Sequence, residues 1–173
     1  MANIVLIGYR GTGKSSVASE LRSLLDWSVV GMDAELVQRA GMPIKDLVER
    51  RGWSHFRDME QSLCEELSHV DQRIVDCGGG VVEREANIRA LRSSGTVFWL
   101  RAKPETIISR IASDDQRPSL TGTQSFTDEV IAVLKHRTPL YAALAHVQIH
   151  ADDSTPPEIA RKIFDLFPYV PAS

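Results

Sequence analysis

A glycine-rich segment near the start of the chain has the residue types and spacing needed to bind a phosphate chain. Residues 8–15 read GYRGTGKS, which fits the pattern G-x-x-x-x-G-K-[ST] at every fixed position, and an apolar run precedes them. Backbone N–H groups of such a loop wrap a phosphate, and the N-terminus of the following helix adds positive potential. Lys14 would reach the β- and γ-phosphates, and the Ser15 hydroxyl would coordinate Mg²⁺. The residues expected to contact the nucleotide in this loop are Gly11, Thr12, Gly13, Lys14, Ser15 and Ser16.

This loop alone does not say what receives the phosphate, because kinases, GTPases and ATPase modules all use it. The chain contains no N-K-x-D sequence for guanine recognition, which disfavours a Ras-like GTPase. The other polar residues must therefore distinguish the remaining classes of nucleotide-binding protein.

Composition excludes several other classes. The chain has 173 residues and a net charge of −3, from 20 Lys and Arg against 23 Asp and Glu, which argues against a general nucleic-acid binder. No apolar run approaches the roughly 20 residues of a membrane span, and the first residues lack the features of a secretory signal. The two cysteines, Cys64 and Cys77, form neither a metal-binding pair nor a disulfide framework. We expect a cytoplasmic monomer with reduced thiols and no nucleic-acid or membrane partner.

The elements that position the loop follow from the hydropathy pattern. Short apolar runs alternate with segments of helical period, which is typical of βαβ units around a parallel sheet. A capping box with proline at the first helical position, residues 155–158, predicts the start of the last helix. The apolar runs that predict strands are residues 4–7, 29–30, 74–75, 97–100 and 147–149.

Two stretches depart from this alternation. Residues 33–70 have the pattern of two or three successive helices, whereas residues 113–125 are polar, without apolar periodicity, and indicate a mobile loop. Ligands of open α/β sheets bind beyond the carboxyl ends of the strands. We therefore expect one domain over residues 1–173, with a substrate-binding flap at 33–61 and a lid at 112–125.

Six segments, in matching order and over nearly the whole chain, resemble the shikimate kinase family. They are residues 8–16 (GYRGTGKSS), 31–35 (GMDAE), 52–60 (GWSHFRDME), 78–80 (GGG), 117–118 (RP) and 136–141 (HRTPLY). The resemblance implies a three-layer α/β P-loop kinase fold with a five-stranded parallel sheet in the order 2-3-1-4-5. It also implies phosphorylation of the 3-hydroxyl of shikimate by ATP, giving ADP and 3-phosphoshikimate in the pathway to chorismate and the aromatic amino acids.

The resemblance assigns a set of residues to the acid substrate. Arg57 and Arg137 match the two arginines that bind the substrate carboxylate, a group that favours planar, bidentate donors. Gly79 matches a substrate contact, and with Gly78 and Gly80 it forms a backbone segment that a ligand could approach closely. Arginines on solvated helix faces and a flexible glycine turn remain the alternatives.

Three further residues are assigned by the resemblance to phosphoryl transfer. Asp33 would orient the attacking hydroxyl and accept its proton, although capping of a helix N-terminus is an open alternative. Arg117 matches the lid arginine that neutralises charge on the β- and γ-phosphates. Arg110 matches a residue that stacks on adenine. An exposed arginine without such a role is the alternative for both.

The chain departs from the family at one position of the magnesium site. Most shikimate kinases have D-x-D where this chain has Gly31-Met32-Asp33, so the first aspartate, which normally holds a water on Mg²⁺, is missing. Asp76 follows an apolar strand, as a Walker B carboxylate does. Our hypothesis is that the supporting carboxylate has moved to the third strand, so that Ser15 and Asp76 hold Mg²⁺. Pairing of Asp76 with a nearby Lys or Arg is the alternative.

Two other functions remain open. One is a different small-molecule kinase, for example of the gluconate type, although two arginines with a glycine triplet favour a carboxylated polyol. The other is a catalytically weak nucleotide-binding homologue, which Gly31 in place of the first aspartate would suggest.

Overall fold

The computed structural model describes residues 2–112 and 125–169, and within them five parallel strands form one sheet. The strands are β1 (Asn3–Ile7), β2 (Ser28–Gly31), β3 (Arg73–Asp76), β4 (Gly95–Arg101) and β5 (Val147–His150). Their order is β2-β3-β1-β4-β5. Each predicted strand segment lies inside one of these strands, and the predicted order is confirmed.

Helices connect the strands and cover both faces of the sheet. The helices are α1 (Lys14–Leu25), α2 (Met32–Ala40), α3 (Ile44–Leu67), α4 (Glu85–Ser94), α5 (Pro104–Ile111), α6 (Phe126–Leu144) and α7 (Pro156–Leu166), with short 3₁₀ turns at Val81–Glu83 and Phe167–Tyr169. The predicted capping box begins α7, where the Thr155 N–H donates to a Glu158 carboxylate oxygen at 2.7 Å.

Successive side chains of β1 point to opposite faces of the sheet, so the core has two layers. Ile4 and Leu6 pack against α1 and α7, whereas Val5 and Ile7 pack against α2, α3, α4 and α6. All four side chains are fully buried. A strand covered on both faces requires a continuous apolar run, which explains why this part of the sequence predicts a strand so clearly.

Successive helices follow β2, as the pattern of residues 33–70 predicts. α2 and α3 follow one another directly, and α3 is broken at Gly52, whose φ of 81° and ψ of 164° are not helical. The break yields three helical pieces and separates the first turns of α3 from the part that carries Arg57. The role of residues 33–61 as a flap stays a prediction. Most of the predicted lid, including Arg117, lies outside the described residues.

Among the described residues, no helix is long and apolar enough to span a bilayer. Both cysteines are buried free thiols. Burial raises the pKa of Cys64 and Cys77, which keeps both thiols protonated at neutral pH.

Candidate active site

The glycine-rich loop joins β1 to α1 and curves around the ammonium group of Lys14. Gly13 caps α1 in the left-handed region, with a φ of 91°, a conformation that glycine adopts without steric cost. Lys14 is buried, and its Nζ donates hydrogen bonds to the carbonyl oxygens of Gly8 at 2.9 Å and Tyr9 at 3.1 Å. The Thr12 hydroxyl donates to the same Tyr9 carbonyl at 2.8 Å. The loop is therefore held in its curved form by its own side chains.

A cavity of about 560 Å³ opens beyond the carboxyl ends of the strands, where open α/β sheets bind ligands. It brings together the loop, the ends of β2 and β3, and the first turn of α2. Its lining consists of Arg10, Gly11, Gly13, Lys14, Ser15, Ser16, Val29, Gly31, Asp33, Ala34, Asp76, Cys77 and Gly79. Most of the residues predicted to contact phosphate, metal and the attacking hydroxyl thus share one cavity.

Asp76 ends β3 at the floor of this cavity. Its Oδ2 atom accepts a hydrogen bond from the Ser15 hydroxyl at 2.5 Å. The register of the sheet sets Asp76 directly beside Gly31, the last residue of β2. The contact joins the two residues that the sequence assigns to magnesium.

Asp33 lies in the first turn of α2, one residue beyond its start. Gly31 occupies the N-cap position and has no side chain, so the capping alternative for Asp33 is wrong. The carboxylate instead approaches the glycine turn: a Cβ atom at Gly78 would lie 2.7 Å from Asp33 Oδ1. Only glycine at position 78 lets the carboxylate come this close to the backbone.

Arg57 is held rigidly on α3. Its guanidinium lies 5.4 Å from the centre of the Trp53 ring and 5.3 Å from that of Phe56. Nη1 donates to Glu60 Oε2 at 2.8 Å, and only 1% of the Glu60 side chain is exposed. Burial raises the pKa of Glu60 overall, although the charge of Arg57 acts in the opposite direction. A Cβ atom at Gly80 would overlap the Arg57 guanidinium, so the arginine lies directly on the glycine turn.

Arg137 approaches the same turn from α6. It is buried, and its Nε donates to Glu83 Oε1 at 2.6 Å. Its guanidinium lies 6.0 Å from the centre of the Tyr9 ring, and a Cβ atom at Gly79 would lie 3.6 Å from Nη1. The Tyr141 hydroxyl donates to the Gly79 carbonyl at 2.5 Å, which fixes the turn beneath the arginine.

The two arginines line a second cavity of about 370 Å³ together with Trp53, Glu83, Ala132, Val133 and His136. Glu83 also lies 2.9 Å from His136 Nε2. Partial burial acts to raise the pKa of Glu83, but the hydrogen bonds from Arg137 and His136 outweigh it and lower the pKa overall. Glu83 is therefore ionised at neutral pH and pairs with the Arg137 guanidinium at the cavity wall.

Sequence reasoning missed both glutamates of this region. Glu60 follows Arg57 by three residues on a helix, a spacing that places two side chains on one face and could have indicated the pair. Glu83 and Arg137 are 54 residues apart, and no local pattern links them. The contact depends on the packing of α6 against the turn after the glycines.

On the nucleotide side, Arg110 lies exposed on α5 and donates from Nη1 to the Gly11 carbonyl at 3.1 Å. Asp152, in the segment before α7, accepts from the Lys103 N–H at 2.9 Å and the Thr106 hydroxyl at 2.8 Å. These contacts hold the start of α5 and the segment before α7 together. The structure thus brings Arg110 to the loop.

Comparisons with known proteins agree with the family resemblance of the sequence. A family model described as shikimate kinase matches residues 10–167. A shikimate kinase of Rhodopirellula baltica is 36% identical over 170 residues, covering 96% of this chain and 90% of that protein. One from Moorella thermoacetica is 35% identical over 161 residues, covering 93% of this chain and 91% of its own.

A solved structure is similar over almost the whole fold. The shikimate kinase from Acinetobacter baumannii in complex with shikimate has a TM-score of 0.91 and 29% sequence identity. The similarity covers 98% of this chain and 94% of that one. By the family match, the identities and the coverage together, the chain belongs to the shikimate kinase family.

Proposed function

We propose that this protein transfers the γ-phosphoryl group of ATP to the 3-hydroxyl of shikimate, giving ADP and 3-phosphoshikimate. The reaction belongs to the shikimate pathway, which leads to the aromatic amino acids. The observation that carries the proposal is the convergence of Arg57 and Arg137 on one glycine turn, whose other side meets Asp33 and the phosphate-binding loop. An acid can therefore bind on one side of the glycine turn while a nucleotide binds on the other.

The side of the glycine turn that faces Arg57 and Arg137 has the groups needed to bind a carboxylate. Arg57 and Arg137 would supply the guanidinium forks, and Gly78, Gly79 and Gly80 would offer backbone N–H groups to the sugar-like ring. Arg57 is already fixed by two aromatic rings and a buried carboxylate, so little conformational entropy is left to lose on binding. A preorganised site of this kind discriminates between an acid and a neutral polyol.

Asp33 would act on the acceptor hydroxyl. Its carboxylate lines the cavity that contains Lys14, which we call the nucleotide cavity, and it approaches Gly78. It thus lies between Lys14 and the side of the glycine turn that faces the two arginines. From there it would hold the hydroxyl in line with the γ-phosphate and accept its proton as the new bond forms.

Cationic groups would stabilise the charge that is redistributed during transfer. Lys14 would exchange its hydrogen bonds with the Gly8 and Tyr9 carbonyls for bonds to phosphate oxygens. Arg117, within the proposed lid at 112–125, would add a second charge there, and lid closure would limit hydrolysis of ATP by water. Arg110, beside Gly11, would stack on the adenine ring.

The residues present fit a magnesium ion bound with the nucleotide. Ser15 and Asp76 offer oxygen atoms, the ligands that Mg²⁺ prefers, in the cavity that contains Lys14. In the described ranges no group of three or more His, Cys, Asp or Glu residues gathers, which suits an ion held mainly by phosphates and water. Ser15 would hold the ion directly, and Mg²⁺ would neutralise the β- and γ-phosphates.

The net charge of −3 argues against a nucleic-acid partner, and we propose that the protein is a cytoplasmic monomer. Light scattering of the purified protein tests the monomer.

The test of the reaction is ADP release measured in parallel with shikimate, gluconate and nucleoside monophosphates. We expect ADP release with shikimate as the acceptor and none with gluconate or a nucleoside monophosphate. Turnover with gluconate would support the other class of small-molecule kinase. Binding of ATP without turnover on any acceptor would support the catalytically weak homologue.

A further inference from the structure

The ends of β2 and β3 present two equivalent positions to the nucleotide cavity. In the parallel register of these strands Gly31 is the direct partner of Asp76, and both residues line the cavity that contains Lys14 and Ser15. Neighbouring strands lie about 4.8 Å apart. A carboxylate could therefore enter this part of the cavity from either position, and this chain has it only on β3.

The contact of Asp76 with Ser15 determines how the serine hydroxyl is oriented. A hydroxyl has one proton and two acceptor lone pairs. Because the Ser15 proton is directed to Asp76 Oδ2 at 2.5 Å, its lone pairs face away from the carboxylate and are available to a cation.

We propose that Asp76 provides the carboxylate support for the magnesium ion of the bound nucleotide, and that this support can be exchanged between positions 76 and 31. Asp76 acts through the Ser15 hydroxyl and through its own negative charge. The inference rests on the proposed binding of a magnesium nucleotide, but it is independent of which alcohol accepts the phosphoryl group.

The backbone at Gly31 can accept the exchanged side chain. Its φ of −81° and ψ of 106° are an extended conformation open to every residue. A Cβ atom there would meet only Ala34 Cβ within 4 Å, at 3.8 Å, which is ordinary van der Waals contact. Gly31→Asp therefore adds its Cβ atom without backbone strain or a clash.

A metal role and a structural role for Asp76 predict different binding behaviour. A carboxylate beside the phosphates repels the nucleotide when no cation is present and attracts the metal complex when one is. Its removal should therefore weaken the effect of Mg²⁺ on nucleotide affinity while leaving metal-free binding unchanged or tighter. A structural role, in contrast, would weaken binding in both conditions.

The experiment is calorimetric titration of ADP into the full-length protein, once with saturating Mg²⁺ and once with EDTA. In Asp76→Ala we expect the enhancement of ADP affinity by Mg²⁺ to fall roughly 10- to 100-fold, the usual cost of losing a group that supports a metal ligand. Asp76→Asn, which preserves the shape of the side chain, should behave in the same way. The matched control is Asp165→Ala, which removes an aspartate from an exposed ion pair with Arg161 and should change neither affinity.

The exchange is tested in the double variant Gly31→Asp with Asp76→Ala. We expect the enhancement of ADP affinity by Mg²⁺ to be at least tenfold larger in this double variant than in Asp76→Ala. In Gly31→Ala with Asp76→Ala it should be no larger than in Asp76→Ala. Thermal unfolding without nucleotide checks that each variant is folded. An unchanged enhancement in both Asp76 variants, an equal loss of metal-free and metal-bound affinity, or no recovery in the double variant overturns the proposal. None of these titrations contains an acceptor, so failure of the shikimate assay would leave their outcome unaffected.

Discussion

Glu83 binds Arg137 through Nε, at 2.6 Å, and so leaves the two terminal nitrogens of this buried guanidinium directed elsewhere. A guanidinium has five N–H donors in a fixed planar fork. Since Nη1 lies near Gly79, the glutamate on one side determines where the fork points on the other. Glu83 is thus a positioning residue for the proposed carboxylate site.

Replacing Glu83 tests this positioning role. In Glu83→Gln we expect the KM for shikimate to rise roughly tenfold, because a hydrogen bond to a charged group contributes about 1.5–3 kcal/mol and its loss frees the Arg137 fork. The KM for ATP should not change, since Glu83 does not line the nucleotide cavity. Steady-state kinetics measure both constants. Glu85→Gln, which removes a charge from an exposed pair with Arg89, is the control. An unchanged KM for shikimate in Glu83→Gln would contradict the role.

Replacing Arg57 by lysine tests the need for a bidentate donor. Lysine preserves the charge but not the planar fork, so we expect the KM for shikimate to rise roughly 10- to 100-fold while ATP affinity stays the same. Arg89→Lys, on the exposed face of α4, is the matched control. Equal kinetics for Arg57→Lys and the unmodified protein would exclude Arg57 from the carboxylate site.

The pKa of Glu83 predicts the pH dependence of its contribution to stability. Its pKa is lower in the folded protein, so its stabilising effect is complete above the unfolded value of about 4.3 and is lost as the pH falls through the folded pKa. The difference in unfolding free energy between the unmodified protein and Glu83→Gln should therefore shrink below about pH 4.3. Urea unfolding at several pH values between 7 and 3.5 measures it. A difference that grows with acidity would contradict the assignment.

Gly78 tests the close approach of Asp33 to the glycine turn. In Gly78→Ala the new Cβ would lie 2.7 Å from Asp33 Oδ1 and 3.3 Å from Glu60 Oε1, so the Asp33 carboxylate, proposed to act on the acceptor hydroxyl, must move. We expect kcat to fall roughly 100-fold, the effect of a displacement of about 1 Å at a reacting group. Gly79→Ala, whose Cβ would be 3.5 Å from its nearest neighbour, should have a milder effect. A larger loss in Gly79→Ala would contradict the role of this contact.

The central strands β1, β3 and β4 could be predicted because their apolar residues are buried on both faces of the sheet. The predicted segments stop short where strand ends are polar. Asn3 begins β1 although it is polar, and its amide is satisfied inside the protein by hydrogen bonds to the carbonyls of Leu67 and Val70. Asp76 likewise ends β3 with its carboxylate on Ser15. Contacts of this kind come from distant segments, so hydropathy gives no sign of them.

The site was predictable only in part, for a related reason. The phosphate-binding loop is local, so its sequence predicted its curved form directly. The convergence of Arg57 and Arg137 on the glycine turn required the resemblance to a family, because α3 and α6 are distant in sequence. The pattern of two or three successive helices allowed for a break in α3 but did not locate it at Gly52, since a glycine inside a helical pattern is also compatible with a continuous helix.

We propose one site that binds a carboxylate with Arg57 and Arg137 while it presents an alcohol to the terminal phosphate of ATP. The most direct measurement compares kcat/KM for shikimate with that for shikimate methyl ester, in which the charge is removed and the alcohols are unchanged. We predict saturable ADP release with shikimate and a loss of roughly 100-fold or more with the ester, because two charged forks lose their partner. Equal rates with the acid and the ester, or no shikimate-dependent ADP release, would contradict the claim.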